Sequence, residues 1–254
     1  MKNKFFELIM EELEKTRKIV KTSFFIAVVT VAVLLVFPYD MKPKEWGIYA
    51  NSYFITTLGL TAGGAAIGIL LGMLLAFFKF QKTKSETVNM IKDVVIDEYV
   101  DIMRGTPMVL QLLTLSFVVV IFNNYWIALI ALGLNSAAYV EETIRSGIES
   151  IDKGQMEAAR ATGMPYRMAM NEIIMPQAIK NILPALLNEF INLFKETAVV
   201  GYISVVDITM NSKSLQAVYY SVKPILFTGL VYYISVKLFS FIGKRLEMRL
   251  KEND

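Results

Sequence analysis

Inside the apolar stretch Asn181 to Ile203, five polar or charged side chains fall at helical spacing: Asn188, Glu189, Asn192, Lys195 and Glu196. Asn188, Asn192 and Lys195 share one helical stripe, while Glu189, Asn192 and Glu196 make an adjacent one. A charge at the middle of a membrane helix costs at least about 2.5 to 3.5 kcal/mol on insertion scales, so such groups face protein or water. Two readings stay open. The stripes either line a polar substrate pathway or lock this helix against its neighbours. A third role would use Glu142, Glu189 and Glu196 as proton or sodium sites of an ion-coupled transporter. The chain has no Cys and no His, which excludes thiolate nucleophiles, disulfides and His-ligated metal sites. No carboxylate pair sits at a convincing catalytic spacing on one intramembrane face, so no catalytic residue and no metal site is assigned.

The elements that must carry these residues are membrane helices. Apolar residues make up 55% of the 254, and the mean hydropathy is +0.48. Both values belong to an integral membrane protein. Apolar stretches long enough to cross the hydrocarbon layer run from Thr22 to Tyr39, Gly47 to Phe78, Gly105 to Val140, Asn181 to Ile203 (interrupted by the polar residues above) and Pro224 to Gly243 (with Lys237 near its inner end). The third is long enough for two spans, with the turn at Asn123-Asn124. The fold class is therefore all-α, with six predicted transmembrane helices. About 20 of the 26 basic residues fall on one side of that arrangement, so both termini are expected in the cytoplasm. The net charge of +3 is this bias and implies no nucleic acid.

Val36-Phe37-Pro38-Tyr39 offers no small-residue cleavage site after the first apolar run, so that span reads as retained. The arm before it, with Phe5, Phe6, Leu8, Ile9 and Leu13, reads as an amphipathic surface helix or a solvated tail. Gly64, Gly68 and Gly72 recur every four residues, a spacing that lets another helix approach closely. Gly105 and Pro107 predict a break after Arg104, which is spaced to pair with Asp101 and to anchor at the membrane border. Glu142 and Arg145 are spaced for an ion pair.

Between the hydrophobic spans lies Gly154-Gln155-Met156-Glu157-Ala158-Ala159-Arg160-Ala161-Thr162-Gly163, then Ile173-Ile174-Met175-Pro176. Gln155 to Thr162 is rich in helix formers, with Glu157 near the start, where the helix dipole favours an anion. Gly163 and Pro165 stop that helix, and Tyr166 to Met175 forms a second, ending near Pro176. Two short helices at a fixed angle make either a rigid docking knob or a hairpin lying on the membrane surface.

The ordered set Glu157, Ala158, Ala159, Gly163, Ile173 and Pro176 resembles the cytoplasmic loop of ABC-importer permeases. Its flanks, Ile148-Glu149-Ser150-Ile151 and Pro176-Gln177-Ala178, are similar to the polar amino acid uptake branch. Tyr99 to Pro107 with Gln111, Ala138 to Ile148, and Asn188 to Ala198 resemble further family segments. Glu141, Glu196, Ala198 and Val199 depart from the family wording. The resemblance runs from about Tyr53 almost to the C-terminus. It implies a five-helix permease core with one extra N-terminal helix, in a bacterial inner or plasma membrane. The implied divisions are 1–50 (arm, first helix and external loop), 51–243 (permease domain, with a coupling loop at about 145–180) and 244–254 (cytoplasmic tail).

Function follows from the same resemblance: a multi-pass permease subunit of an ATP-driven importer for a polar or charged amino acid. The six loop residues would dock in an ATPase groove. Two ATPase subunits, a second permease (a copy or a similar paralogue) and an extracytoplasmic binding protein are the implied partners, besides the lipid bilayer. No phosphate-cradling Gly-x-x-x-x-Gly-Lys-Ser/Thr loop is present. The chain is therefore expected to carry no cofactor and no enzymatic activity, with ATP and Mg on the partner ATPase.

Overall fold

The computed structural model describes the backbone of residues 2–252, with side chains at residue 10 and from 12 to 249. Its elements are helical. Helix α1 (Lys2–Val36) runs unbroken through the N-terminal arm into the first apolar run. The side chains of Phe5, Phe6, Leu8 and Ile9, on which the arm's predicted amphipathic face rests, lie outside the described residues. Leu13 is exposed.

Helix α2 (Pro43–Asn51) starts at a proline, whose fixed φ suits the first helical position. The Glu45 carboxylate reaches back to accept the Lys42 N–H at 2.7 Å. A π turn (Ser52–Thr57) joins α2 to α3 (Leu58–Phe80) without a break. The second predicted span is thus part of a helix of 38 residues. Its π turn has a purpose in the fold. Thr57 is fully buried there, and its Oγ1 accepts the Ile208 N–H at 3.2 Å. Ser52 Oγ accepts from Asn211 Nδ2 at 2.9 Å. The widened turn therefore binds the start of helix α10, described below.

Helix α4 (Glu86–Gly105) is followed after Thr106 and Pro107 by α5 (Met108–Val118). Gly105 and Pro107 break the helix as their chemistry predicts. Gln111 Nε2 then donates to the Met103 and Thr106 carbonyls, at 2.8 and 3.1 Å, which the break leaves without intrahelical partners. Asn123 caps α6 (Asn124–Glu149), accepting the Trp126 N–H at 3.2 Å. The expected turn at Asn123-Asn124 is there.

After α6 come α7 (Lys153–Ala161), α8 (Tyr166–Ala169), a second π turn (Met170–Ile174) and α9 (Met175–Glu196). A 3-10 segment (Thr197–Ile203), α10 (Ile208–Tyr219) and α11 (Lys223–Glu252) complete the chain. The buried Asp207 caps α10 by accepting from Thr209 and Met210 N–H at 3.0 and 2.8 Å. Phe37, Trp46, Tyr49 and Phe227 form an aromatic cluster that ties α2 to α11.

Four of the described helices are long and apolar enough to cross a membrane: Glu12–Val36, Pro43–Phe80, Asn124–Glu149 and Lys223–Arg249. The apolar run 105–140 divides unequally, because α5 has only 11 residues.

The glycine spacing in α3 is explained by α6. A Cβ on Gly72 would lie 2.6 Å from Val140 Cβ and 2.8 Å from the Ala137 carbonyl oxygen. One on Gly68 would lie 2.5 Å from Ser136 Oγ, and one on Gly64 would lie 3.2 Å from Leu132 Cβ. Leu132, Ser136 and Val140 repeat every four residues too, so the two stripes interlock along their length.

Candidate functional site

Between α6 and α9 lies a cavity of about 310 Å³, lined by Tyr139, Glu189, Asn192, Lys195, Glu196 and Val199. Four of the five polar residues singled out in the sequence line it. Asn188 does not, and it is exposed. The two predicted stripes have different surroundings. Asn188, Asn192 and Lys195 are exposed, whereas Glu189 is 8% exposed and Glu196 is half-buried. Oε2 of Glu196 is buried with no hydrogen-bond partner.

Tyr139 and Val199 join the lining from positions that helical spacing on α9 does not reveal. Tyr139 belongs to a polar face of α6 formed by Asn135, Tyr139 and Glu142. Asn135 Nδ2 donates to Gln111 Oε1 at 3.0 Å and to the Met103 carbonyl at 3.2 Å. The Arg104 guanidinium lies 5.4 Å from the Tyr139 ring centroid and 3.6 Å from the Glu142 carboxylate. Arg145 also binds Glu142, as its spacing predicts, and Glu149 at 3.0 Å. Arg104 therefore pairs with Glu142 and not with Asp101, which corrects the expected pairing. The reason is tertiary: the break after Gly105 sets the end of α4 against α6, and a partly buried partner outcompetes a solvent-exposed one one turn away.

A second carboxylate departs from its surroundings. Glu141 is fully buried, and neither of its oxygens has a hydrogen-bond partner. Lys79 and Arg145 are the opposite charges that act on it. It takes no part in lining the cavity.

The loop between α6 and α9 is built by its caps. Asp152 Oδ1 accepts the Gly154 N–H at 2.7 Å and starts α7. At the other end, the Met164 N–H bonds the Ala159 carbonyl at 3.2 Å and the Gly163 N–H bonds that of Arg160 at 3.0 Å. That pair of bonds is a Schellman cap. Gly163 has φ +85, and a Cβ added to it would meet nothing within 4 Å, so backbone handedness and not crowding demands glycine here. Glu157 and Ala158 are exposed on α7, while Ala159 packs inward. Glu157 stands in the middle of α7, so the expectation that it sits at the helix start is corrected. Asp152 holds that place.

Nor does the second helix end near Pro176. Tyr166 to Glu196 is one continuous helix, in which the π turn Met170–Ile174 precedes Pro176. The widened turn accommodates the carbonyls that a prolyl nitrogen cannot serve. Ile173 is half-buried in that turn and Pro176 is exposed. Asn181 Nδ2 donates to Ser150 Oγ at 2.9 Å, and Ile182 fills the space over Gly147, tying the rod to α6.

The described residues thus form a bundle of long apolar helices with an open cavity lined by charged side chains and a capped loop between α6 and α9. Residues 68–252 match the family of binding-protein-dependent transport system inner membrane components, and the chain belongs to that family. It is 41% identical over 204 residues to the arginine transport system permease protein ArtQ of Bacillus subtilis (strain 168), covering 78% of this chain and 90% of that protein. The putative glutamine transport system permease protein GlnP of Rickettsia typhi is 38% identical, covering 78% of this chain and 91% of that one. A crystal structure of an amino acid ABC transporter with histidines superposes with a TM-score of 0.72 at 36% identity, covering 81% of this chain and 95% of that one. The protein is thus a multi-pass transport permease, and the relatives it matches are transport system permease proteins.

Proposed function

We propose that this chain is one of two paired permease subunits of an ATP-driven importer for a polar or charged amino acid. The observation that carries the reading is the continuous helix from Tyr166 to Glu196. One end bears the capped loop with Glu157, Ala158, Ala159, Gly163, Ile173 and Pro176. The other end lines the cavity with Glu189, Asn192, Lys195 and Glu196. Force applied to such a rod at the loop tilts the cavity wall. The names of the relatives, which concern arginine and glutamine, support an amino acid as cargo.

In this reading the chain crosses the membrane six times with both termini in the cytoplasm. The third crossing uses α4 and α5 together, and the fifth uses α9. Two ATPase subunits hold ATP and Mg beneath the membrane and grip the loops. A binding protein delivers cargo from outside to a pathway shared with a second permease, identical or closely similar. ATP hydrolysis takes place on the ATPases, and this chain converts their closure into opening of the pathway.

Co-expression with its ATPase should yield a complex of two membrane and two ATPase subunits, measurable by mass in detergent. The permease purified alone should hydrolyse no ATP. A stable assembly without an ATPase that transports on an ion gradient would overturn the proposal and turn the intramembrane carboxylates into coupling sites.

A further inference from the structure

Helix α1 packs mainly against α11, and the way the two meet changes along their length. They run antiparallel: Phe37, just past the end of α1, lies 5.5 Å from Phe227, and Phe25 lies 6.0 Å from Tyr233. Between those contacts the seam is closed, with Phe25, Val29, Ala32, Val33 and Val36 all half-buried. From Phe25 toward the N-terminus it is open, and every residue from Glu12 to Phe24 is exposed. The stripes that continue the seam into this cleft are basic. On α1, Lys21 and Lys18 stand four and seven residues before Phe25; on α11, Lys237 and Lys244 stand four and eleven residues after Tyr233. All four are exposed. Lys18 pairs with Glu14 at 3.5 Å, whereas Lys21, Lys237 and Lys244 form no ion pair within the described residues. The Lys237 ammonium rests over the rings of Tyr233 and Phe25, 5.5 and 6.0 Å from their centroids.

We propose that this cleft binds the headgroup of an anionic phospholipid from the inner leaflet. The proposal rests on the reading of both termini as cytoplasmic, which puts the open end of the cleft at the inner membrane surface. Lys237 lies within the last apolar run, Pro224 to Gly243, and an ammonium in hydrocarbon is costly without an anion. Gly243 is six residues on, roughly 9 Å along the axis. An extended lysine stem and a hydrogen bond of about 3 Å cover that interval, so Lys237 reaches a phosphate at the membrane border. Lys21, one turn nearer the cytoplasm than Phe25, meets that phosphate from the α1 side, and Lys244 stands at the mouth. Basic clefts between membrane helices on the cytoplasmic side suit such headgroups. The acyl chains lie on exposed apolar side chains beside the cleft, Phe24 and Val28 of α1 and Ile234 and Leu238 of α11. A membrane helix bearing a carboxylate is a poorer occupant, because the cleft closes at Phe25 and leaves a helix no room to pass.

Native mass spectrometry of the full-length protein with its co-purifying subunits, delipidated and titrated with lipid, tests the proposal. The lipids are phosphatidylglycerol and phosphatidylcholine of equal chains. Phosphatidylglycerol should bind more tightly, and Lys21→Gln and Lys237→Gln should each weaken it roughly fivefold. Lys237→Arg, which keeps charge and reach, should bind it as the parent does. Lys84→Gln, which removes an exposed charge from the loop between α3 and α4, should have no effect. Equal weakening by Lys84→Gln would mean that the lipid senses total charge, and would overturn the site. Phosphatidylcholine binding as tightly as phosphatidylglycerol would overturn it as well. Glycerol phosphate that displaces the lipid at equal concentration would make the ligand a free phosphate. A polypeptide lost on Lys237→Gln, with lipid binding unaltered, would make the occupant a partner helix. Protease cleavage of an N-terminal tag in sealed right-side-out vesicles reads the topology separately. Cleavage there would overturn the inner-leaflet assignment and the reading of the termini together, whatever the lipid titration gives.

Discussion

Helix α6 meets α3 on one side and α9 on the other, and the two contacts are opposites. Toward α3 it presents Leu132, Ser136 and Val140 to glycines that leave no free space. Toward α9 it presents Tyr139 to a cavity holding two carboxylates and an ammonium. The first contact gains dispersion energy from close backbone approach and is worth most where nothing moves. The second holds buried charge and open volume, which cost stability. The difference teaches that one helix can be rigid on one face because it must be hollow on the other. The α3–α6 pair is the frame against which the α9 wall can tilt.

The strongest way to break that comparison is to fill the seam. Gly72→Leu would drive a side chain into Val140 and the Ala137 carbonyl, and backbone there cannot yield. Overpacking typically costs about 1 to 3 kcal/mol and more where backbone is hit. Gly72→Leu should therefore give little monodisperse protein in fluorescence-detected size exclusion. Gly229→Ala, with nothing within 4 Å of its Cβ, should behave as the parent does. A stable Gly72→Leu protein would mean that the seam is not the frame.

The wall should respond in the opposite sense, in function and not in folding. Glu189→Gln keeps shape and removes charge, and one charge-assisted hydrogen bond contributes about 1.5 to 3 kcal/mol. Cargo binding should weaken roughly 10- to 150-fold, by titration, with the melting temperature of the complex unchanged or raised. Unchanged affinity in a well-folded variant would assign Glu189 to packing.

At the far end of the same rod, Gly163→Val places a β-branched residue at φ +85. Strain of about 1 to 3 kcal/mol is too little to unfold the bundle and enough to distort the cap of α7. The variant should insert and bind cargo normally while losing co-purified ATPase and ATP-driven uptake. Glu157→Lys should do the same through the exposed contact surface of α7. Normal transport by Gly163→Val with its ATPase bound would remove the loop from the coupling role.

The smallest effect belongs to Asp152. Losing an N-cap costs about 1 kcal/mol, so Asp152→Ala should fray the first turn of α7. Amide exchange over residues 153–161 should quicken severalfold, with a partial loss of bound ATPase. Unaltered exchange would mean that contacts other than the cap hold α7.

Legibility in the sequence tracks how local the cause is. The four-residue glycine spacing, the left-handed Gly163, the break at Gly105 and Pro107, and the polar stripes of α9 all rest on chemistry within a turn or two. Each appears in the structure where those residues place it. The Arg104–Glu142 pair joins residues far apart in sequence, and nothing near Arg104 advertises it, whereas Asp101 sits at the expected spacing. Pro176 reads locally as a stop. Only the π turn before it, a feature without a residue signature, lets the helix run on. Glu141 reads in the sequence only as a charge that departs from the family wording, and its complete burial depends on the packing of α6, which no local pattern reveals.

The unbroken rod from Tyr166 to Glu196 carries an obligation in both directions. The loop adjoins one end of this helix and the cavity lies at the other, with Tyr166 and Glu189 roughly 35 Å apart along the helix at 1.5 Å per residue. If nucleotide on the ATPase alters how tightly the cavity holds its cargo, cargo must alter nucleotide affinity by the same factor. An amino acid that never touches ATP would then act as its effector. A cell whose cargo pool rises would read that rise as a changed nucleotide occupancy beneath the membrane.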